Sequence, residues 1–200
     1  MSDHSHGPEA AYRRWGYAAE REAQRAGRAV ADMFPETAAP VELQDGDQRF
    51  TTPDTDLWCR ERAGVDGWDL DVAACDESHL AMYFFTKAQN GLMRPWNGRR
   101  VWCNPPFSDI GPWVEKAWAE MGRAKGPDVI AMLLPASRTE QRWWQEHVEP
   151  KRDVALTFNG ASLRTCFLPG RTRFGHPGNP KGVGVGSPPF GCVLLVWRRS

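Results

Sequence analysis

Asn104-Pro105-Pro106-Phe107 is the segment of this 200-residue chain whose residue types and order point most directly to chemistry. It follows a short apolar run, Val101-Trp102-Cys103, and precedes a helix-forming stretch. Two consecutive prolines fix φ twice and stiffen the backbone. An amide side chain, a backbone carbonyl and an aromatic face are thereby held in a fixed relation. Two acceptors so held, the Asn104 side-chain oxygen and the Pro105 carbonyl, suit the two N–H bonds of an exocyclic amine such as that of adenine. Such a nitrogen is a poor nucleophile, because its lone pair is delocalised into the ring. Binding both hydrogens favours a pyramidal nitrogen whose lone pair points at a methyl donor, which is catalysis by positioning and electrostatics rather than by a strong base. Phe107 is expected to stack on the ring, since a base inside a duplex is out of reach unless flipped. Ser187-Pro188-Pro189-Phe190 repeats the pattern before the last apolar run; there a turn is the expected role.

Ligands of open α/β sheets bind beyond the carboxyl ends of the strands, so the surrounding elements must place the tetrapeptide there. Apolar runs predict strands over 68–73, 101–103, 129–134, 154–158 and 192–197. The run at 129–134 is apolar throughout, as in a strand buried on both faces. Helices are predicted over 77–86, 112–123 and 139–147. Trp113, Ala117, Trp118 and Met121 share one helical face, whereas Trp143 and Trp144 are neighbours that a helix turns apart, so one of them is expected outside the core. This alternation implies a three-layer α/β fold, with a mostly parallel sheet and helices on both faces. Residues 170–188, rich in Gly and Pro, read as a long loop before the last strand. Upstream, residues 9–34 read as a helix with a thin apolar face and 35–50 as a polar linker. The chain thus divides into an N-terminal helix and linker over 1–49 and a catalytic domain over 50–200.

Bulk properties narrow the class. Hydrophobic residues make up 41% and charged residues 25%, ordinary for a globular protein. No apolar run approaches the roughly 20 residues needed to span a bilayer, and the polar N-terminus has no signal core, so an intracellular protein is expected. Five cysteines, an odd number without a CxxC pair, argue against a disulfide framework and a structural zinc site. His4 and His6 belong to a polar terminus rather than a metal site. Net charge is zero but unevenly spread: −3 over residues 1–50, −4 over 51–150 and +7 over 151–200. A basic last quarter on an acidic chain fits either a footprint for a polyanion or a solvated basic face. Arg171, Arg173, His176 and Lys181 lie in or beside the Gly/Pro loop, where phosphate contact would give salt-dependent binding. Arg138 follows the apolar strand and Pro135, which puts it at the same sheet edge as a phosphate contact or a surface arginine.

Beyond the tetrapeptide, several stretches in order resemble the phage-type, Dam-like DNA N6-adenine methyltransferase family. They are Thr51-Thr52-Pro53 with Leu57-Trp58, the run from Trp68 to Ala74, Leu92 to Trp96, Val101 to Phe107 with Trp113 to Ala117, Leu133 to Arg138, and Leu168 to Arg171 with Arg173-Phe174. Together they lie within residues 50–197 and leave the first 49 uncovered. The resemblance implies a Rossmann-like fold that binds S-adenosylmethionine, with a mostly parallel sheet and an antiparallel C-terminal strand. It also implies N6 methylation of adenine in double-stranded DNA, in the cytoplasm of a bacterial host. Asn104, Pro105, Pro106 and Phe107 become the catalytic residues. Thr52 and Pro53 become the segment that closes over the methionine end of the cofactor, and Asp69, Asp71 and Ala73 the end of the first cofactor-binding strand. Arg138, Arg171, Arg173 and Lys181 become DNA contacts. The glycine-rich loop common in other methyltransferases is absent. Cytosine N4, RNA, a protein glutamine amide, or a nucleic-acid-binding module without turnover stay open; Asn at the first motif position favours adenine by resemblance alone. No metal is implied, and a monomer is favoured.

Overall fold

The computed structural model describes residue 47 and residues 49–179, 181–184 and 186–200. The helix expected over 9–34, the paired histidines and nearly all of the linker lie outside the described residues. The elements in order are β1 (Phe50–Thr51), α1 (Pro53–Ala63), β2 (Leu70–Ala74), β3 (Tyr83–Thr86), β4 (Arg100–Cys103), α2 (Gly111–Met121), β5 (Val129–Pro135), α3 (Arg142–His147), β6 (Ala161–Phe167), β7 (Phe174–Gly175) and β8 (Cys192–Arg199).

Six strands form one sheet in the order β3-β2-β4-β5-β8-β6. β3, β2, β4 and β5 run parallel, and β8 runs against both of its neighbours, so it alone is reversed. This is a Rossmann-like α/β fold, with the reversed C-terminal strand that the family resemblance implied.

Side chains alternate across the sheet with period two, and the two faces build two cores. Val101, Ile130, Met132, Leu134, Val193 and Leu195 point to one side, where α2 and α3 cover them. Trp102, Ala131, Leu133, Leu194 and Val196 point to the other, where Cys59 and Ala63 of α1 cover them. β5 is buried at every position, as its continuous apolar run required.

α1 carries its own start and stop signals. Pro53 stands in its first turn, Asp54 and Asp56 offset the positive N-terminal end of the helix dipole, and Arg60 and Arg62 offset the other end. Gly64 closes it at φ 66°, in the left-handed region.

Three expectations are corrected. The helix expected over 77–86 is a loop that enters the edge strand β3, because Tyr83-Phe84-Phe85-Thr86 is a β-favouring run that pairs with β2. The strand expected over 154–158 is a lead-in instead: Asn159 and Gly160 turn at φ 52° and 72°, Phe158 and Ala161 exchange both backbone hydrogen bonds, and β6 starts only then. Trp143 and Trp144 are both buried. The exposed face of this six-residue helix is made by Arg142, Gln145 and Glu146, and the two indoles diverge within the core: Trp143 lies against Gly111 at the start of α2, and Trp144 packs in the same α2–α3 cluster.

Candidate active site

β2 and β4 are parallel neighbours, with Asp71 opposite Trp102. Asn104 follows Trp102 by two residues and therefore leaves the sheet on the same side as Asp71. A cavity of about 330 Å³ opens at this edge, within the range of small-molecule sites. Both Asp71 and Asn104 line it, with Ala73 and Pro106. Val72 carries the wall formed by Gly91: a Cβ on Gly91 would stand 2.0 Å from the Val72 carbonyl oxygen, so only glycine lets the two backbones meet. Trp96, fully buried, donates from its indole to the Gly91 carbonyl at 2.9 Å. The Trp96 N–H is in turn tied to the buried Glu120, itself paired with Lys116 and Arg123.

The Asn104 amide is fixed by what its nitrogen donates to. Nδ2 donates to the Arg49 carbonyl at 2.6 Å and to Thr51 Oγ1 at 3.2 Å. A carbonyl only accepts, so this assigns the nitrogen and the oxygen of the amide. Oδ1 is then buried without a hydrogen-bond partner. An acceptor left in that state costs about 1–3 kcal/mol, which an incoming N–H donor would offset.

The segment that orients Asn104 comes from residues assigned by sequence to the end of a linker. Asp47 accepts a hydrogen bond from the Ser108 N–H. The Arg49 guanidinium lies 5.1 Å over Phe107 and 5.7 Å over Phe190. β1 pairs antiparallel with β7, with Phe50 opposite Gly175 and Thr51 opposite Phe174. The Gly/Pro loop is thus structured where it crosses the site, and Pro177 joins the cavity wall while the Gly178 N–H points to Glu77 at 3.4 Å.

The other expected site residues fall as follows. Asp71 is buried and accepts hydrogen bonds from the N–H groups of Ala73 and Leu80. Burial pushes its carboxyl up to about 7, against the pull of those two donors. Asp69 stands before β2, not at its end, and binds Arg100 at the opposite sheet edge, outside the cavity. Thr52 caps α1 and faces Thr55, and Pro53 is exposed in the first turn; Thr51 is the residue of that trio in the cavity. Phe107 is 3% exposed, makes T-shaped contacts with Phe174 and Phe190 and lies under the Arg49 guanidinium, so its ring is enclosed by the fold and does not line the cavity. Pro105 is buried. Phe190, in the second Pro-Pro-Phe sequence, serves as part of this aromatic packing. Arg138 donates from Nη1 to the Phe107 carbonyl at 2.6 Å and braces the motif. Arg171, Arg173 and Lys181 are exposed.

Among the described residues, no group of three or more His, Cys, Asp or Glu is placed to hold a metal ion. All five cysteines are free. No helix of the described residues is long and apolar enough to cross a membrane.

A family model described as DNA N-6-adenine-methyltransferase (Dam) matches residues 39–185. The chain belongs to this family. A DNA N-6-adenine-methyltransferase of Escherichia phage T1 is 32% identical over 152 residues, 66% of this chain and 62% of its own length. One of Haemophilus phage HP1 is 40% identical over 92 residues, 46% of this chain and 51% of its own. The chain therefore spans less than two thirds of the length of either relative. A solved structure described as a candidate RNA methyltransferase of Pyrococcus horikoshii aligns with 89% of this chain and 98% of its own, at 10% identity and a TM-score of 0.49, too distant to bear on activity. The Dam match takes in Arg49, Thr51, Asp71, Asn104 and the exposed cations of the Gly/Pro loop, so the whole of the cavity edge lies inside it.

Proposed function

We propose that this chain transfers a methyl group from S-adenosylmethionine to the N6 amino group of adenine in double-stranded DNA. The observation that carries this reading is the buried, unpaired Oδ1 of Asn104 at the rim of a cavity it shares with Asp71. An amide oxygen so placed takes one N–H of the target amine, and the Pro105 carbonyl takes the other. Thr51 and the Arg49 carbonyl keep the amide from turning its nitrogen to the substrate, where a donor would repel the amine hydrogens.

The cavity residues fit the cofactor. Asp47, Asp71, Asp76 and Glu77 outnumber Arg49 and Lys87 among its charged lining, which suits a cation. When bound, S-adenosylmethionine supplies a methyl group activated by a positively charged sulfur. Asp71 accepts from its polar groups, and the backbone at the end of β2 approaches it closely because Gly91 leaves the space. Phe107, as packed, supports the motif from behind instead of stacking on the flipped base. Arg171, Arg173 and Lys181 face solvent and hold DNA phosphates.

Asn104→Ala tests this reading. We expect intact folding, cofactor affinity within about threefold of wild type, and a fall of about 100-fold or more in methyl transfer, the usual effect of removing a positioned polar partner. Turnover equal to wild type would remove Asn104 from the chemistry.

A further inference from the structure

Resting on that reading, we infer that Val183 is the apolar wedge that enters the DNA base stack and keeps the target adenine out of the duplex. Val183 is 76% exposed, the most exposed of the large hydrophobic side chains described. A single exposed valine is common; the way this one is held is not. The Asn179 side chain grips its backbone on both sides: Nδ2 donates to the Val183 carbonyl at 2.9 Å, and Oδ1 accepts from the Val183 N–H at 3.2 Å. Gly182 and Gly184 flank it at φ 62° and 72°, a left-handed backbone on each side that makes residue 183 the tip of a tight turn. The valine side chain adds its own stiffness, since β-branching restricts χ1.

The tip is anchored to the active site. A Cβ on Gly182 would stand 2.7 Å from the Phe174 carbonyl oxygen, so the turn lies directly on Phe174. Phe174 meets Phe107 edge-on at 6.0 Å and pairs through β7 with Thr51, which holds Asn104. The occupant is argued from charge: Lys181 precedes the tip by two residues, and Arg171 and Arg173 lie on the same loop, all exposed, so the loop suits a polyanion. Apolar side chains wedged between base steps are a known means of unstacking DNA, at a cost of a few kcal/mol that the filled gap offsets. A rigid apolar tip on a loop that carries three exposed cations, tied to the residue that binds the extruded amine, meets that need.

The test compares methyl transfer by Val183→Ala on one DNA sequence in two forms, as a duplex and as a single strand, where no base has to leave a stack. We expect kcat/KM on the duplex to fall at least about tenfold, activity on the single strand to match wild type, and Val183→Ile to restore the duplex rate. Asn179→Ala, which releases the grip, is expected to give the same selective loss. Equal activity of Val183→Ala and wild type on the duplex, or an equal fall on both forms, would overturn the wedge while wild-type adenine methylation still stands. Failure of wild type to form N6-methyladenine in either form would overturn the wedge and the underlying reading together.

Discussion

In the proposed reaction Asn104 acts through one atom, and two other groups decide which atom that is. Thr51 Oγ1 and the Arg49 carbonyl both accept from Nδ2 and so leave Oδ1 as the unpaired atom of the amide. Thr51→Val removes one of the two. We expect kcat to drop about 5- to 10-fold, the range of one hydrogen bond worth about 1 kcal/mol, with the dissociation constant for S-adenosylmethionine unchanged within about twofold and Thr51→Ser near wild type. A fall in affinity with kcat unchanged would mean that Thr51 serves the cofactor instead. Asp71 gives a pH signature. Its folded value, about 7, lies above the ordinary 3.8, so the protonated carboxyl adds stability at low pH that is withdrawn as the pH rises through about 7. Ligand groups that donate to the carboxylate reverse the preference. Cofactor binding titrated at pH 6 and pH 8 is expected to tighten at the higher pH with proton release, and Asp71→Asn to lose that dependence; the same slope in the variant would assign it elsewhere. That Asn104 and Asp71 meet at one sheet edge was legible in the sequence, because motif and strand fall in order. Asp69, by contrast, lies before the strand rather than at its end. Alternation along a strand tells which face a residue takes, not where the strand begins, and β2 starts after Asp69.

At the scale of elements, the cavity depends on a contact between backbones. Gly91 lies so close on β2 that a methyl group would overlap the Val72 carbonyl. Gly91→Ala must push apart the two walls. We expect a loss of about 1–3 kcal/mol in denaturant unfolding and at least tenfold weaker cofactor binding; an unchanged midpoint and affinity would show that the wall yields without consequence. The Gly/Pro loop carries a second expectation. Reversing Arg171 and Arg173 to Glu should weaken DNA binding and lower the slope of log affinity against log salt by about 2, one phosphate per arginine, with cofactor binding intact. Unchanged DNA binding would take the loop out of the interface. The apolar runs at β4, β5 and β8 read correctly because burial on both faces leaves an unbroken pattern. β3 and β6 at the sheet edges did not. Their burial is partial, and the signals that define them, an aromatic run and an Asn-Gly turn, act over four residues rather than a full helical period.

For the whole molecule, the sign of the charge asymmetry was legible but not its use. Of the eight cations after residue 150, Arg198 and Arg199 tie β8 to carbonyls of neighbouring segments, and Arg164 binds the Arg62 carbonyl. Arg152 pairs with Glu149 and Asp153, and Lys151 lies over Trp118. Arg171, Arg173 and Lys181 are left exposed, all on the loop whose Pro177 joins the cavity wall. Composition cannot tell a fold-holding arginine from a free one, because the difference lies in tertiary contacts. An acidic cavity and an unpaired amide oxygen lie at one sheet edge, and the loop that sends Pro177 to the cavity wall carries the three cations; together they suit a cationic methyl donor and a polyanion bearing an exocyclic amine. The direct measurement is methyl transfer from labelled S-adenosylmethionine to unmethylated duplex DNA, followed by nucleoside analysis. We expect the label in N6-methyladenine. Label in N4-methylcytosine, or label absent from DNA but present in RNA or protein, would contradict the adenine assignment.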